Sequence, residues 1–251
     1  MTYILTFTEL LKLKIKYDVK THRLRCQGHI INLAVNSFLF VTDSDNPESD
    51  DETDNNNKYK VSLEEIEQWR RKGPLGKMHN FVVFIQASVQ REQLFWEYSH
   101  RLQLVRDNNT WWNSWYNMLE RALDLKDAII QYSEDYPDDL YKLDILTEEE
   151  WETIDTIMTF LQKLKMATKA AESSNSCLDV ILPLIDFVLS QFEAAKVKYA
   201  NDDILSPMVN SGWAKMDQYY QLTDQSPAYA VALVLNPKFK WKYIDKKWNK
   251  A

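Results

Sequence analysis

The stretch His22-Arg23-Leu24-Arg25-Cys26-Gln27-Gly28-His29-Ile30-Ile31-Asn32-Leu33 changes its hydrophobic period midway, and that change decides how the chain begins to fold. Residues 23–26 alternate basic and apolar, which predicts a short strand. Gly28 frees the backbone for a sharp turn. From there Ile30, Ile31, Leu33, Ala34, Phe38 and Leu39 recur at helical spacing, which predicts a helix over 29–40. His29 then lies in the first turn of that helix, where unpaired N–H groups and the helix dipole favour an anion such as a phosphate. An ordinary capping or solvent-facing histidine fits the same position. Zinc fits poorly, because Cys26 and His29 supply two ligands where a closed site needs four. The sequence holds 2 Cys and 4 His, and the second cysteine, Cys177, has no histidine near it.

Working outward, a second segment carries information of the same kind. Arg106-Asp107-Asn108-Asn109-Thr110-Trp111-Trp112-Asn113-Ser114-Trp115-Tyr116 places four potential N-cap residues before a helix start. Trp112, Trp115, Tyr116, Leu119, Leu123 and Ile130 share one face of a helix predicted over 111–132. Trp111 falls off that face.

Other helices follow from caps and stripes. Ser62 and Glu65 form a capping box for a helix over 62–69, and helices are predicted over 77–87 and 91–98. Thr147 followed by Glu148, Glu149 and Glu150 starts a helix striped by Trp151, Ile154, Ile157, Met158, Leu161 and Leu164. Those three carboxylates diverge by about 100° per residue, so they do not converge on one metal ion. A helix beginning near Ser176 is kinked, or has its true start marked, by Pro183, and another spans 202–220. Lys77 and His79 are placed on an exposed face near the turn at Gly73-Pro74. No internal repeat, glycine-rich phosphate loop or nucleophile elbow occurs.

Composition narrows the class. The chain has 251 residues, 45% hydrophobic and 27% charged, as suits a globular chain with a real core. Only 4 Gly occur, which leaves few tight turns and favours helix. The formal net charge of -7 is unusual for a freestanding nucleic-acid binder. The charge is uneven, however: Lys12, Lys14, Lys16, Lys20, Arg23 and Arg25 make a basic beginning, and Asp43, Asp45, Glu48, Asp50, Asp51, Glu52 and Asp54 follow as an acidic run. The basic edge suits either a phosphate backbone or plain solvation. Two distant cysteines give no disulfide framework, and no secretory or membrane-spanning pattern appears, so an intracellular setting is expected.

Three phrases taken in order carry a resemblance: Cys26-x-x-His29, Gly73-Pro74-Leu75-Gly76-Lys77-Met78-His79-Asn80, and the tryptophan-rich segment that includes Trp112. Together with Leu235-Asn236-Pro237-Lys238-Phe239-Lys240 near the end, they make the sequence similar to the hAT superfamily of DNA transposases, in the versions abundant in fungal genomes. The resemblance implies a ribonuclease-H-like catalytic fold carrying a large helical insertion. It also implies three carboxylates holding divalent metal such as magnesium, two of them upstream of Cys26 and one in a C-terminal segment that mediates dimerisation. All three, with the N-terminal zinc-finger module, are expected to lie outside this sequence. Asp18 falls in the loop before residue 23, one helix late for the family's aspartate.

The resemblance therefore implies a mainly α chain: a helical bundle, residues 29–251, with a mobile acidic loop at 41–58, and a strand remnant of the catalytic fold at 1–28. It implies residual DNA association without autonomous strand cleavage, no cofactor of its own, and a nuclear setting. His29 matches the family histidine near the transposon end, and Trp112 matches a tryptophan whose ring stacks on an extrahelical base, although core packing suits its helix face equally well. The family's arginine before that tryptophan is Trp111 here, and a ring offers no forked cation to a phosphate. Arg23, Arg25 and Lys77 complete the expected DNA contacts. The competing readings are a scaffold that docks onto a protein such as a transposase through exposed aromatics (Trp111, Trp241), and an enzyme completed in trans.

Overall fold

The computed structural model describes residues 24–41, 62–108, 111–138, 141–172 and 177–247. The early basic residues through Arg23, the acidic run from Asp43 to Asp54, and Asn109, Thr110 and Ser176 lie outside them. The mainly α expectation holds: the described residues form helices and turns, with no strand among them.

Helix α1 (Gln27–Leu39) is the central element. Ile30, Ile31, Ala34, Val35, Phe38 and Leu39 are all buried, a face too broad for a surface helix, so the other elements wrap it. Its most extensive neighbour is α9 (Leu205–Asp224), followed by α7 (Glu148–Ala171), with α5 (Trp112–Asp124) touching its first half. Close approach of α9 depends on Gly212. A Cβ there would lie 2.6 Å from Phe192 Cε1 and 2.9 Å from Phe38 Cβ. Phe38, Phe160 and Phe192 knit α1, α7 and α8 (Ile181–Lys198) together, with ring centroids 4.8 to 6.3 Å apart.

The start of the chain departs from the strand expectation. Residues 24–26 pair with no strand. Instead the Arg25 backbone N–H donates to the Tyr229 hydroxyl at 2.8 Å, and its guanidinium donates to the Leu222 carbonyl at 3.1 Å. Gly28 makes no sharp turn either. Cys26 is the N-cap, so Gly28 is the second residue of α1, and the only glycine at positive φ is Gly73. The basic–apolar alternation reads as a strand in isolation, but its polar groups find helix-end partners on α9 and α10 (Pro227–Leu235) instead.

The expected caps are present. Ser62 and Glu65 exchange capping-box hydrogen bonds at the start of α2 (Leu63–Arg70), and Thr147 and Glu150 do so at the start of α7. Helix α3 (Pro74–Gln86) begins at a proline and buries every side chain of its first two turns except Lys77. It lies tight against α2: a Cβ on Gly76 would sit 1.7 Å from the Trp69 carbonyl oxygen, so only glycine fits.

The helix predicted over 111–132 is two helices. Leu125, at φ −109° and ψ 17°, breaks it into α5 and α6 (Lys126–Asp135). The break lets α5 press Trp115 and Tyr116 inward while α6 turns Tyr132 against Phe95 of α4 (Val89–Tyr98). Pro183 sits in the first turn of α8, where its missing N–H breaks no helical bond. Asp202 starts α9 by accepting from the Ile204 and Leu205 amides at 2.9 and 2.7 Å. A smaller core of Leu182, Tyr229 and Leu233 holds α10 and α11 (Lys240–Lys247) to the body. Among the described residues, no helix is long and apolar enough to cross a membrane.

Candidate nucleic-acid interface

Two helix starts carry the residues singled out by the sequence. At α1, Cys26 offers no side-chain cap, no acidic residue occupies the first turn, and His29 is exposed at the third helical position. Amide groups at such a start favour an anion. A carboxylate of the chain already lies beside this start: a Cβ on Gly28 would be 3.6 Å from an oxygen of Glu172, the C-cap of α7. Gln27 beside it is 5% exposed, and neither its amide oxygen nor its nitrogen has a hydrogen-bond partner. Burying an amide without partners costs about 1–3 kcal/mol on the protein scale.

At α5 the geometry is the reverse. Trp112 is 0% exposed, its ring 6.3 Å from Tyr116 and its indole N–H unpartnered. Its backbone N–H donates to Asn32 Oδ1 of α1 at 3.0 Å. That contact caps α5 from another helix, since Trp111, the N-cap residue, offers no side-chain oxygen. In this arrangement no face of the Trp112 ring is open to an extrahelical base. Stacking would require the first turn of α5 to leave α1, so packing is what the ring does here. Trp111 lies off the buried face as expected and is 40% exposed.

The remaining expected contacts separate. Arg25 is half-buried and engaged with α9 and α10. Arg23 lies outside the described residues. Lys77 and His79 do not sit on an exposed face. Lys77 pairs with Glu150 at 2.7 Å, so the capping carboxylate of α7 also ties down α3. His79 is buried, with Nδ1 2.7 Å from Asp107 Oδ1. Its ring stacks on Trp69 at 3.9 Å and faces Trp115 at 5.8 Å. Lys72 covers the other side of this group, with Nζ 3.7 Å from the Trp69 ring. Desolvation there lowers the Lys72 pKa, and the Asp107 carboxylate opposes that effect.

A buried polar network beside this stack escaped sequence reading. Asp144 accepts from the Arg70 guanidinium at 2.7 to 3.1 Å and from the Asn80 amide at 2.9 Å. Asn80 also donates to the Ile66 carbonyl at 3.0 Å. The hydrogen bonds to Asp144 raise the Arg70 pKa against the opposing effect of burial. The network joins α2, α3 and the 3₁₀ turn Lys142–Asp144, residues far apart in sequence. Asn32 was missed too, although a polar residue amid Ile30, Ile31, Ala34 and Val35 is the kind of signal that marks a buried hydrogen bond. Glu148 pairs with Lys126, and among the described residues no three His, Cys, Asp or Glu side chains gather where they could hold a metal ion.

Comparison with known proteins fits this helical body. The chain is similar to the putative transcriptional regulator tpeD of Talaromyces stipitatus, 24% identical over 230 residues that cover 88% of this chain and 24% of that protein. It is similar also to the zinc finger BED domain-containing proteins RICESLEEPER 2 of Oryza sativa subsp. japonica, 25% identical over 71% of this chain and 25% of the relative, and DAYSLEEPER of Arabidopsis thaliana, 27% identical over 63% and 23%. The chain thus spans about a quarter of the length of the curated relatives it matches. No solved structure matches it. A family model, the ZBED1 RNase-like helical domain, matches residues 24–160, from the segment before Cys26 through the tryptophan-rich helix and into α7. The match takes in more than half of the chain and all three leading phrases of the hAT resemblance, so the chain belongs to the ZBED1 RNase-like helical domain family, a hAT-transposase-like lineage.

Proposed function

We propose that this chain is the helical body of a hAT-derived protein that associates with DNA in the nucleus and does not itself cleave strands. The observation that carries the reading is the exposure of His29 in the first turn of α1, where Gln27, Gly28 and Ile30 are buried. That turn is free of acidic residues and lies inside the segment that the family model covers. Relatives named as a transcriptional regulator and as BED zinc-finger proteins support a nucleic-acid role. The two buried carboxylates among the described residues, Asp144 and Asp107, are engaged with Arg70, Asn80 and His79, so neither is offered to a metal ion.

Anisotropy of a fluorescently labelled hairpin DNA, titrated with the full chain at several salt concentrations, tests the reading. Binding should weaken as salt rises, because neutralised phosphates release counterions. His29→Ala should weaken it several-fold while the helical circular dichroism stays unchanged. Equal binding by wild type and H29A at every salt concentration would overturn the reading. A second reading, docking onto a protein partner, is favoured by the exposed Trp111 ring; it predicts no DNA retention and loss of the partner in Trp111→Ala.

A further inference from the structure

The densest positive charge among the described residues lies far from His29 in sequence. Over residues 238–247 the chain places Lys238, Lys240, Lys242, Lys246 and Lys247 against one carboxylate, Asp245, in a protein of net charge -7. All five lysines are exposed, and among the described residues none is paired with a carboxylate in an ion pair. Between them Trp241 is 63% exposed.

The helix that carries four of them, α11, is anchored. Phe239, Tyr243 and Ile244 pack against the small core of Leu182, Tyr229 and Leu233, and the Tyr243 hydroxyl donates to Asp186 Oδ2 of α8 at 2.7 Å. Its apolar face is thereby occupied, so lysines and one indole are presented on a fixed support. Trp241, Lys242 and Lys246 fall on the side of α11 away from Tyr243 and Ile244.

We propose that α11 is a sequence-independent nucleic-acid contact, in which its lysines take backbone phosphates and Trp241 stacks on an unpaired base. An eight-residue helix is about 12 Å long. Phosphates recur once per about 3.4 Å of duplex axis on each strand and more widely along an unstacked strand, so its length faces at most about two or three of them. Cationic side chains interleaved with an open aromatic ring suit single-stranded or unpaired regions, where bases are available to stack. A membrane surface would also attract lysines and a tryptophan, but an interfacial helix needs a free apolar face. That face of α11 is spent on the core, which leaves Val231 and Leu235 of α10 as the apolar groups a bilayer would use.

The inference rests on the nucleic-acid reading for the class of partner, but it uses different residues and fails separately. The test uses the full chain and a labelled twelve-nucleotide oligothymidylate, with the hairpin DNA in parallel. K242E/K246E should bind oligothymidylate at least ten-fold more weakly and lower the salt slope, and W241A should lose about five-fold or more. K163E/K169E, an equal charge change on the exposed side of α7, should shift affinity less than two-fold. Wild-type affinity in K242E/K246E, or an equal loss in K163E/K169E, overturns the proposal even where H29A still weakens hairpin binding. Unchanged binding by W241A overturns the stacking contact. Co-sedimentation with phosphatidylserine vesicles, reduced by V231S/L235S and without oligothymidylate binding, overturns it in favour of a membrane.

Discussion

The starts of α1 and α5 share one feature, an N-cap residue that makes no side-chain cap bond, and differ in what the folded chain does about it. That residue is Cys26 in one case and Trp111 in the other. At α5 the need is met from outside the helix: Asn32 accepts the Trp112 amide, and the ring is sealed beneath. At α1 no comparable acceptor among the described residues bonds the first turn, although the Glu172 carboxylate lies beside Gly28, and only His29 of that turn faces outward. An orphaned helix start thus acts as packing glue when it is buried and as a polar surface when it is open. Which of the two it becomes depends on what the rest of the chain lays over it.

The contrast breaks most severely at the tryptophan. Trp112→Ala opens a cavity in the main core and should cost about 3–5 kcal/mol, read as a lower urea midpoint. For that reason it is no test of DNA contact; a ring that served mainly as a stacking platform would tolerate alanine with little loss of stability. Asn32→Ala comes next. It strands the Trp112 N–H in a buried place and should cost about 1–3 kcal/mol, with α5 amides near the start exchanging hydrogen faster. Little change in either readout would mean that α5 does not depend on its borrowed cap.

Smaller effects sharpen the comparison. Burial first, and then the hydrogen bond to Glu120, raises the Tyr116 pKa on the buried face of α5. A raised pKa stabilises the fold fully below the unfolded value near 10 and is lost as pH rises through the folded value. Urea midpoints should therefore hold steady up to about pH 9 and fall as pH rises past about 10, and fall less steeply in Tyr116→Phe. At the open start, Cys26→Ser should stabilise by about 0.5–1 kcal/mol, because a hydroxyl supplies the acceptor that the thiol lacks. Smallest of all, His29→Ala should change stability by less than about 0.5 kcal/mol, as exposed sites do. A larger loss would mean that His29 is structural.

Much of the helical frame was legible because local chemistry decides it. Thr147 with Glu150 and Ser62 with Glu65 cap as expected, and the stripe from Trp151 to Leu164 is buried in full. Leu125 shows the limit: nothing in Asp124-Leu125-Lys126 breaks a helix by propensity, and the break serves contacts that α5 and α6 make with different neighbours. The candidate site was less legible. Lys77 and His79 looked like surface residues beside a turn, yet Glu150 and Asp107, 73 and 28 positions away, draw them inward. Arg25 looked like part of a strand edge and is bonded to residues about 200 positions later.

What sequence alone determined is the helical class, most helix starts and the identity of the apolar faces, because capping bonds and 3.6-residue periodicity act within one or two turns. The tertiary structure alone decided that Trp112 is core, that His29 is open, and that Asp144 and Asn32 each join separate elements. Exposure and long-range pairing depend on which surfaces meet. That outcome belongs to the packing of whole helices, such as α9 closing on α1 over Gly212, and no short stretch of the chain contains it.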